Sequence, residues 1–265
     1  MILASSSPSA LLLGIAAAAA YALPAAFASR LGETGARLAL WLAWALHGAM
    51  LAAGMLQNAP RFGFAPALSV TAWLVLTVYA IERELFPKLR TRWVLAALGA
   101  LTVLLALAFP GQPLHVSASA WLPLHLALGI SAYGLFGAAV VHAALMTRAE
   151  KRLRLAEDTQ SGMPLLTLER LTFRFVTAGF VLLTATLIAG VLFSEALYGR
   201  AWRWDHKAVF SVLSWLTFAA LLLGRRRFGW RGRSAVRVLY AGAVLLLLAY
   251  VGSRFALEVV LGRAP

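Results

Sequence analysis

Eight runs of about 20 mostly apolar residues follow one another along this chain, separated by short polar segments. Runs of that length can cross the hydrocarbon core of a bilayer as helices. In lipid every backbone N–H and C=O must be satisfied within the protein, which leaves helices or closed barrels. These runs are continuous and rich in Ala and Leu, whereas barrel strands alternate apolar and polar residues. The sequence therefore predicts an all-α fold, a polytopic membrane helix bundle with about eight transmembrane helices.

Composition agrees with this fold, since 62% of the residues are hydrophobic and 13% are charged, against about 25% charged in soluble domains. With no internal repeat or separate domain, residues 1–265 are expected to form a single integral membrane domain. The polar stretch 147–169 is expected to be a loop or a short amphipathic segment. The first run resembles a signal peptide but has no Lys or Arg before it, so we expect a retained span. The predicted spans are 8–28, 36–56, 65–82, 93–110, 120–146, 171–197, 207–224 and 235–260.

The basic residues segregate to one side of this predicted topology. The loops after spans one, three, five and seven hold three quarters of the 24 Lys and Arg residues. Because cytoplasmic loops of membrane proteins are enriched in Lys and Arg, we expect a multi-pass protein of the inner (plasma) membrane with both termini on the outer, periplasmic side. The formal charge of +14 then reflects topology. The sequence has no basic domain with interleaved aromatic residues, so nucleic acid is not expected as a partner.

The chain contains no cysteine. Disulfides, thiolate metal sites, cysteine nucleophiles and covalent haem attachment through a CxxCH motif are therefore excluded. No catalytic nucleophile, acid–base pair or hydrolytic metal site stands out in the sequence either. We predict a protein that is not an enzyme.

Histidines inside the predicted spans are the first candidate functional residues. An ionisable side chain within a bilayer is costly and faces the bundle interior. A functional role is favoured for His47, near the middle of span two, and for His125, near the outer end of span five. A structural hydrogen bond is favoured for His142. His125 and His142 lie about 25 Å apart along one helix, too far to ligate one iron together. His115 and His206 fall on the outer side.

The outer segment before span seven combines aromatic, basic and imidazole groups: Trp202, Arg203, Trp204, Asp205 and His206. A flat macrocycle with propionate carboxylates would need aromatic faces, nearby cations and a histidine ligand to iron. Trp residues also form interfacial belts in ordinary membrane proteins. The residues alone leave both interpretations open.

This segment resembles the tryptophan-rich "WWD" loop of the cytochrome c assembly superfamily. The loop is matched by Tyr198-Gly199, Trp202, Trp204-Asp205, Lys207 and Trp215; further similar motifs are Trp121 to His125, Ser131 to Tyr133, His47 with Arg61 and Ala65-Pro66, Arg225, Gly229 to Gly232, and Tyr250-x-Gly252. The resemblance covers about residues 40–255. It is closest to the small CcsA-like branch that includes HemX and YpjD-type inner membrane proteins.

The resemblance implies a haem-interacting membrane protein related to cytochrome c assembly, acting as a haem chaperone, export component or regulator. Haem would lie against Trp202 and Trp204 beside Asp205, with His125 as axial ligand and Arg200, Arg203 or Lys207 near the propionates. The implied partners are haem, membrane lipid and other cytochrome c assembly proteins.

The chain departs from the family at two histidine positions, which here are Leu223 and the segment 259–261. Each histidine pair of the family thus keeps one member, His47 or His125. His206 and His115 are the candidates for a replacement outer ligand, so His125 and His206 are the predicted iron ligands. The alternatives are a repurposed membrane scaffold without haem and a transport accessory for an ion or small solute.

Overall fold

The computed structural model describes residues 8–27, 30–57, 61–85, 93–113, 121–155, 164–195 and 203–261. Within these ranges the chain forms eight long helices and two short strands: α1 (Pro8–Ala26), α2 (Glu33–Met55), β1 (Arg61–Phe62), α3 (Phe64–Leu85), α4 (Trp93–Ala108), β2 (Gln112–Pro113), α5 (Trp121–Arg154), α6 (Leu165–Leu192), α7 (His206–Phe228) and α8 (Gly232–Val260). Six of the helices described, all except α1 and α4, are long and apolar enough to cross a membrane. The predicted all-α membrane bundle is confirmed.

The helices form two compact units. The first comprises Met1–Leu114 with Arg254–Pro265, and the second comprises His115–Ser253. The first therefore contains α1 to α4 and the final turns of α8, and the second contains α5 to α7 with most of α8. The expected single membrane domain stays a prediction.

Small side chains allow close packing in the first unit. Helix α1 packs on α2 and α4, and α3 packs on α4. Ala17 and Ala18 of α1 are buried against Met50 of α2 and Val103 of α4. Small residues let helix backbones approach closely in membranes, where association depends on van der Waals contact. The strands β1 and β2 pair antiparallel beyond the ends of α2 and α4.

An aromatic stack holds the centre of the second unit. The rings of Phe136 on α5 and Phe218 on α7 are 3.8 Å apart and nearly parallel, at 8°. Gly179 of α6 faces the Phe136 ring, and Gly242 of α8 faces the Phe218 ring. A glycine opposite each ring leaves room for it, so four helices converge on one pair of side chains.

Helix α8 contains two π-helical segments, Leu248–Gly252 and Ala256–Val260. A π-turn disturbs the regular i→i−4 ladder and leaves carbonyl groups in need of other donors. The hydroxyl of Ser253 shares its one proton between the carbonyls of Ala249 and Tyr250, at 3.0 and 2.9 Å. The hydroxyl of Tyr133 on α5 donates to the carbonyl of Leu246. These hydroxyls satisfy the irregular backbone from within the bundle.

The polar stretch after the fifth span differs from its prediction as a loop or separate short segment. Helix α5 continues to Arg154 and α6 begins at Leu165, so most of the described part of 147–169 extends the two spans. Hydropathy decreases where charged residues begin, yet Arg, Lys and Glu are good helix formers. An i,i+4 ion pair between Glu150 and Arg154, at 2.5 Å, adds to the extended helix.

Candidate functional site

The predicted site residues fall into two groups. His47 lies on α2 in the first unit, whereas His125, Arg203, Trp204, Asp205 and His206 lie in the second. Trp202 and His115 are outside the described residues.

His47 is fully buried and hydrogen-bonded through both ring nitrogens. Its Nε2 lies 2.8 Å from the hydroxyl oxygen of Ser69 on α3, and its Nδ1 lies 3.4 Å from the hydroxyl of Tyr21 on α1. The Tyr21 and His47 rings meet edge to face at 5.8 Å. The imidazole thus joins three helices as a satisfied buried polar group. Iron ligation by His47 would require one of these hydroxyls to move away.

Two stacked tryptophans lie at the turn of α2 that precedes His47. Trp44 stacks on Trp73 of α3 with centroids 5.1 Å apart. The Trp73 indole N–H donates to the Trp44 carbonyl at 3.0 Å, and the Trp44 indole N–H donates to the Thr77 hydroxyl at 2.8 Å. This layer is not among the features predicted from the sequence, although Trp41 and Trp44 at i,i+3 spacing on one helix face were a usable signal.

The cavity beside this layer is small. It measures about 20 Å³ and is lined by residues that include Tyr21, Trp41, Trp44 and Tyr79. That volume holds about one water molecule. A porphyrin does not fit here unless α2 and α3 separate.

In the second unit, His125 lies beside an aromatic pair. Trp121, the first residue of α5, stacks on Phe193 at the C-terminal end of α6, with ring centroids 4.4 Å apart and an interplanar angle of 8°. His125 is one helical turn after Trp121, on the same helix face, and is partly buried. The spacing Trp-x-x-x-His therefore places an imidazole next to a flat aromatic surface.

The segment before α7 reaches the same end of the second unit, because α7 runs antiparallel to α6. Arg203 and Trp204 are exposed, Trp204 to 70%. His206 is the first residue of α7 and is also exposed. This end of the unit thus contains an imidazole on α5, an imidazole on α7, a cation and aromatic rings.

Asp205 has a structural role that the sequence analysis missed. Its Oδ1 accepts a hydrogen bond from the Ala208 N–H at 2.9 Å, which makes Asp205 the N-cap of α7. An Asp directly before an apolar helical run is the signal for such a cap. Haem contact by Asp205 stays a prediction, and its carboxylate already satisfies a helix N-terminus.

Other motif residues tie α6 to α7. The Trp215 indole N–H donates to the Thr184 hydroxyl at 2.8 Å, and its ring stacks on Phe180 at 5.4 Å.

Gly229 ends α7 with a φ of 64°, in the left-handed region that glycine adopts most easily. The following Trp230 N–H then bonds back to the Gly224 carbonyl.

The opposite end of the second unit contains an ion pair over an aromatic ring. Arg225 of α7 lies 2.7 Å from Glu169 of α6, and its guanidinium lies 3.5 Å from the centroid of Phe173. Nearby, the buried His142 donates from Nδ1 to the Ala138 carbonyl at 2.7 Å. This bond supports the structural interpretation of His142.

Among the residues that the structure describes, no group of three or more His, Asp or Glu side chains could hold a metal ion. A porphyrin already fills four coordination positions of its iron, so one or two histidines are enough for haem. The end of the second unit that contains His125 and His206 meets that smaller requirement in residue type.

Comparisons with known proteins agree on one family. Residues 34–261 match the family described as Cytochrome C assembly protein. The chain is 29% identical over 210 residues to the Inner membrane protein YpjD of Escherichia coli (strain K12), with 77% of each chain covered. It is 30% identical over 162 residues to the Cytochrome c biogenesis protein CcsA of Prochlorococcus marinus (strain MIT 9303), with 51% of each covered. It is also 35% identical over 109 residues to CcsA of Microcystis aeruginosa (strain NIES-843 / IAM M-2473), covering 41% of this chain and 30% of that protein. No solved structure matches.

Proposed function

Because this chain belongs to the cytochrome c assembly protein family, we propose that it handles haem at the membrane during cytochrome c biogenesis. The family match confirms the resemblance found in the histidine and tryptophan motifs, and it supports a role in cytochrome c biogenesis. We further propose that the protein binds haem and acts as a haem chaperone, export component or regulator.

The position of His125 carries the proposal. His125 follows Trp121 by one helical turn, and Trp121 stacks on Phe193. His206 and Arg203 lie at the same end of the second unit. An imidazole beside a flat aromatic surface, with a second imidazole and a cation at the same membrane face, suits an iron porphyrin with propionate groups.

Each of these residues has a distinct proposed task. His125 is the first axial ligand, and the exposed His206 is the replacement for the outer histidine that is missing near Val259. Arg203 meets a propionate through charge-assisted hydrogen bonds. Trp204, together with Trp202 outside the described residues, offers ring surface to the macrocycle. In this scheme haem is the cargo, and His125 and His206 would bind its iron.

The proposed location is the inner membrane, with this site on the outer face. The E. coli relative is named an inner membrane protein, and the spanning helices make this chain a membrane protein too. The concentration of Lys and Arg in the opposite loops supports the orientation. Other cytochrome c assembly proteins are the proposed partners, since this chain contains no cysteine to reduce an apocytochrome.

Three observations favour a second candidate, a scaffold of the same fold that no longer holds haem. The Nε2 of His47 is already bonded to Ser69, and the small cavity nearby cannot hold a macrocycle. The residues at Leu223 and Val260 supply no imidazole. A protein that has lost haem but kept the bundle would show these features.

An absorption spectrum separates the two candidates. The full chain is purified in detergent after expression with excess haem precursor, together with His125→Ala and, as a matched histidine control, His142→Gln. The haem proposal expects a Soret band in the native protein and in His142→Gln and a large loss in His125→Ala. Absence of the band from folded native protein would support the scaffold instead.

A further inference from the structure

A basic pocket lies at the end of the second unit opposite His125. It has a volume of about 200 Å³ and opens between the last turns of α5 and the first turn of α8. The residues that line it are Thr147, Arg148, Glu150, Lys151, Arg154 and Arg233. It shares no residue with the proposed haem site.

The charges lining this pocket are not balanced. Four of its side chains are cationic, and Glu150 is the only carboxylate among the described residues that line it. Glu150 pairs with Arg154 at 2.5 Å. Arg148, Lys151 and Arg233 thus present positive charge around one concave space without a lining carboxylate to neutralise it. Like charges gathered in this way favour a bound anion.

The first turn of α8 adds to this preference. Arg233 is the second residue of α8, so the pocket borders a helix N-terminus. The first N–H groups of a helix have no partner within it, and the helix dipole places partial positive charge there. Phosphate groups commonly bind at such termini.

The length of α5 places the pocket at the depth of lipid headgroups. Thr147 follows the exposed Trp121 by 26 positions on one continuous helix, which corresponds to about 39 Å. The hydrocarbon core is about 30 Å thick, and about 40–45 Å with its headgroup regions. With Trp121 in the aromatic belt of one interface, the pocket lies in the headgroup region of the other.

We propose that this pocket binds a phosphate group, supplied either by the headgroup of an anionic lipid or by free inorganic phosphate. Arg148 and Arg233 offer planar guanidinium groups that can hold two phosphate oxygens each, and Lys151 adds a point charge. The site anchors the long α5 extension to the start of α8 at the membrane surface. It is independent of haem and stands whether or not the haem site exists.

Thermal unfolding of the full chain, followed by tryptophan fluorescence in an uncharged detergent, tests the pocket. The probes are phosphatidylglycerol, phosphatidylcholine and inorganic phosphate, titrated separately, because a ligand that binds the folded state raises the melting temperature with its concentration. The test variant is Lys151→Gln with Arg233→Gln. The matched control is Arg226→Gln with Arg227→Gln, which removes the same charge from exposed positions at the same end of the unit.

The proposal expects saturable stabilisation by phosphatidylglycerol and none by phosphatidylcholine. Each cation removed from the pocket should weaken apparent binding about fivefold, and the control pair should leave it nearly unchanged. Stabilisation by inorganic phosphate alone, with the same dependence on the variants, would identify free phosphate as the source. Equal weakening in both double variants, or no saturable stabilisation by any probe, would overturn the proposal. Because the substituted side chains are exposed, all variants are expected to fold, and the two single variants are measured beside them.

Discussion

The Nε2 of His47 and the hydroxyl oxygen of Ser69 are 2.8 Å apart, and both side chains are fully buried between α2 and α3. The two residues are 22 positions apart in the chain, so the bond exists only because the helices pack side by side. It also occupies one of the two ring nitrogens through which an imidazole can bind a metal. The side chain of His47 therefore has a packing role in the structure, whereas its role in haem binding stays a prediction.

The first prediction concerns this bond. Ser69→Ala should lower the free energy of unfolding by about 1 kcal/mol, within the range for hydrogen bonds between transmembrane helices. Chemical unfolding in detergent micelles, followed by tryptophan fluorescence, measures the change. Thr71→Val is the control, since the Thr71 hydroxyl donates to the Ala67 carbonyl of its own helix. Equal losses in both variants would show that the bond to His47 is not what Ser69 contributes.

Gly242 gives a second prediction. A Cβ at this position would lie 2.8 Å from the Phe218 ring, which is held in its stack on Phe136. Gly242→Ala should therefore destabilise the second unit by about 1–3 kcal/mol through overpacking. Gly129→Ala serves as control, because its Cβ would meet Thr186 at an ordinary 3.6 Å. The same unfolding measurement should show little change or a small gain for Gly129→Ala, and a harmless Gly242→Ala would contradict this packing.

The Glu169–Arg225 pair should matter more than a surface ion pair. Its side chains are 15% and 28% exposed, and Arg225 also lies over Phe173. Glu169→Gln should cost about 1–2 kcal/mol, since it leaves a half-buried guanidinium without its counter-charge. Glu150→Gln, which breaks an exposed pair with Arg154, should cost about 0.3–0.5 kcal/mol. Similar losses for the two variants would show that the Glu169–Arg225 pair contributes no more to stability than a surface ion pair does.

Two substitutions of Asp205 distinguish its role as the N-cap of α7 from any contact of its carboxylate with haem. Asp205→Ala should lower the free energy of unfolding by about 1 kcal/mol, because the first turn of α7 loses its acceptor. Asp205→Asn should retain most of that stability, since Asn caps helices as well as Asp does. Haem titration of both variants completes the test. A loss of haem binding in Asp205→Asn at unchanged stability would show that the carboxylate charge serves the ligand as well.

Much of the fold follows from hydropathy, because long continuous apolar runs cross lipid as helices, whereas barrel strands alternate apolar and polar residues. Hydropathy identifies helices that cross the bilayer but gives no signal for helical turns outside it. For this reason the turns from Thr147 to Arg154 were predicted as a loop or separate segment. Charged residues end the apolar signal without ending the helix, and only helix propensity could have indicated the extension.

The sequence motifs selected the candidate residues of the site, whereas the contacts of those residues come from the structure. The motifs selected His125 and the segment around Trp204 because few other parts of the chain combine imidazole, aromatic and basic groups near the end of a span. The stack of Trp121 on Phe193 joins residues 72 positions apart, and a single sequence does not reveal such pairs. The cap formed by Asp205 was local and could have been predicted from its place before α7.

Ligand rescue tests the central claim most directly. The His125→Gly protein is purified with haem supplied, and its Soret band is recorded before and after addition of imidazole. We predict that the band is lost or greatly weakened in the variant and returns when imidazole occupies the vacated axial position. An unchanged band in His125→Gly, or no band in the folded native protein, would contradict the assignment of His125 as a haem ligand.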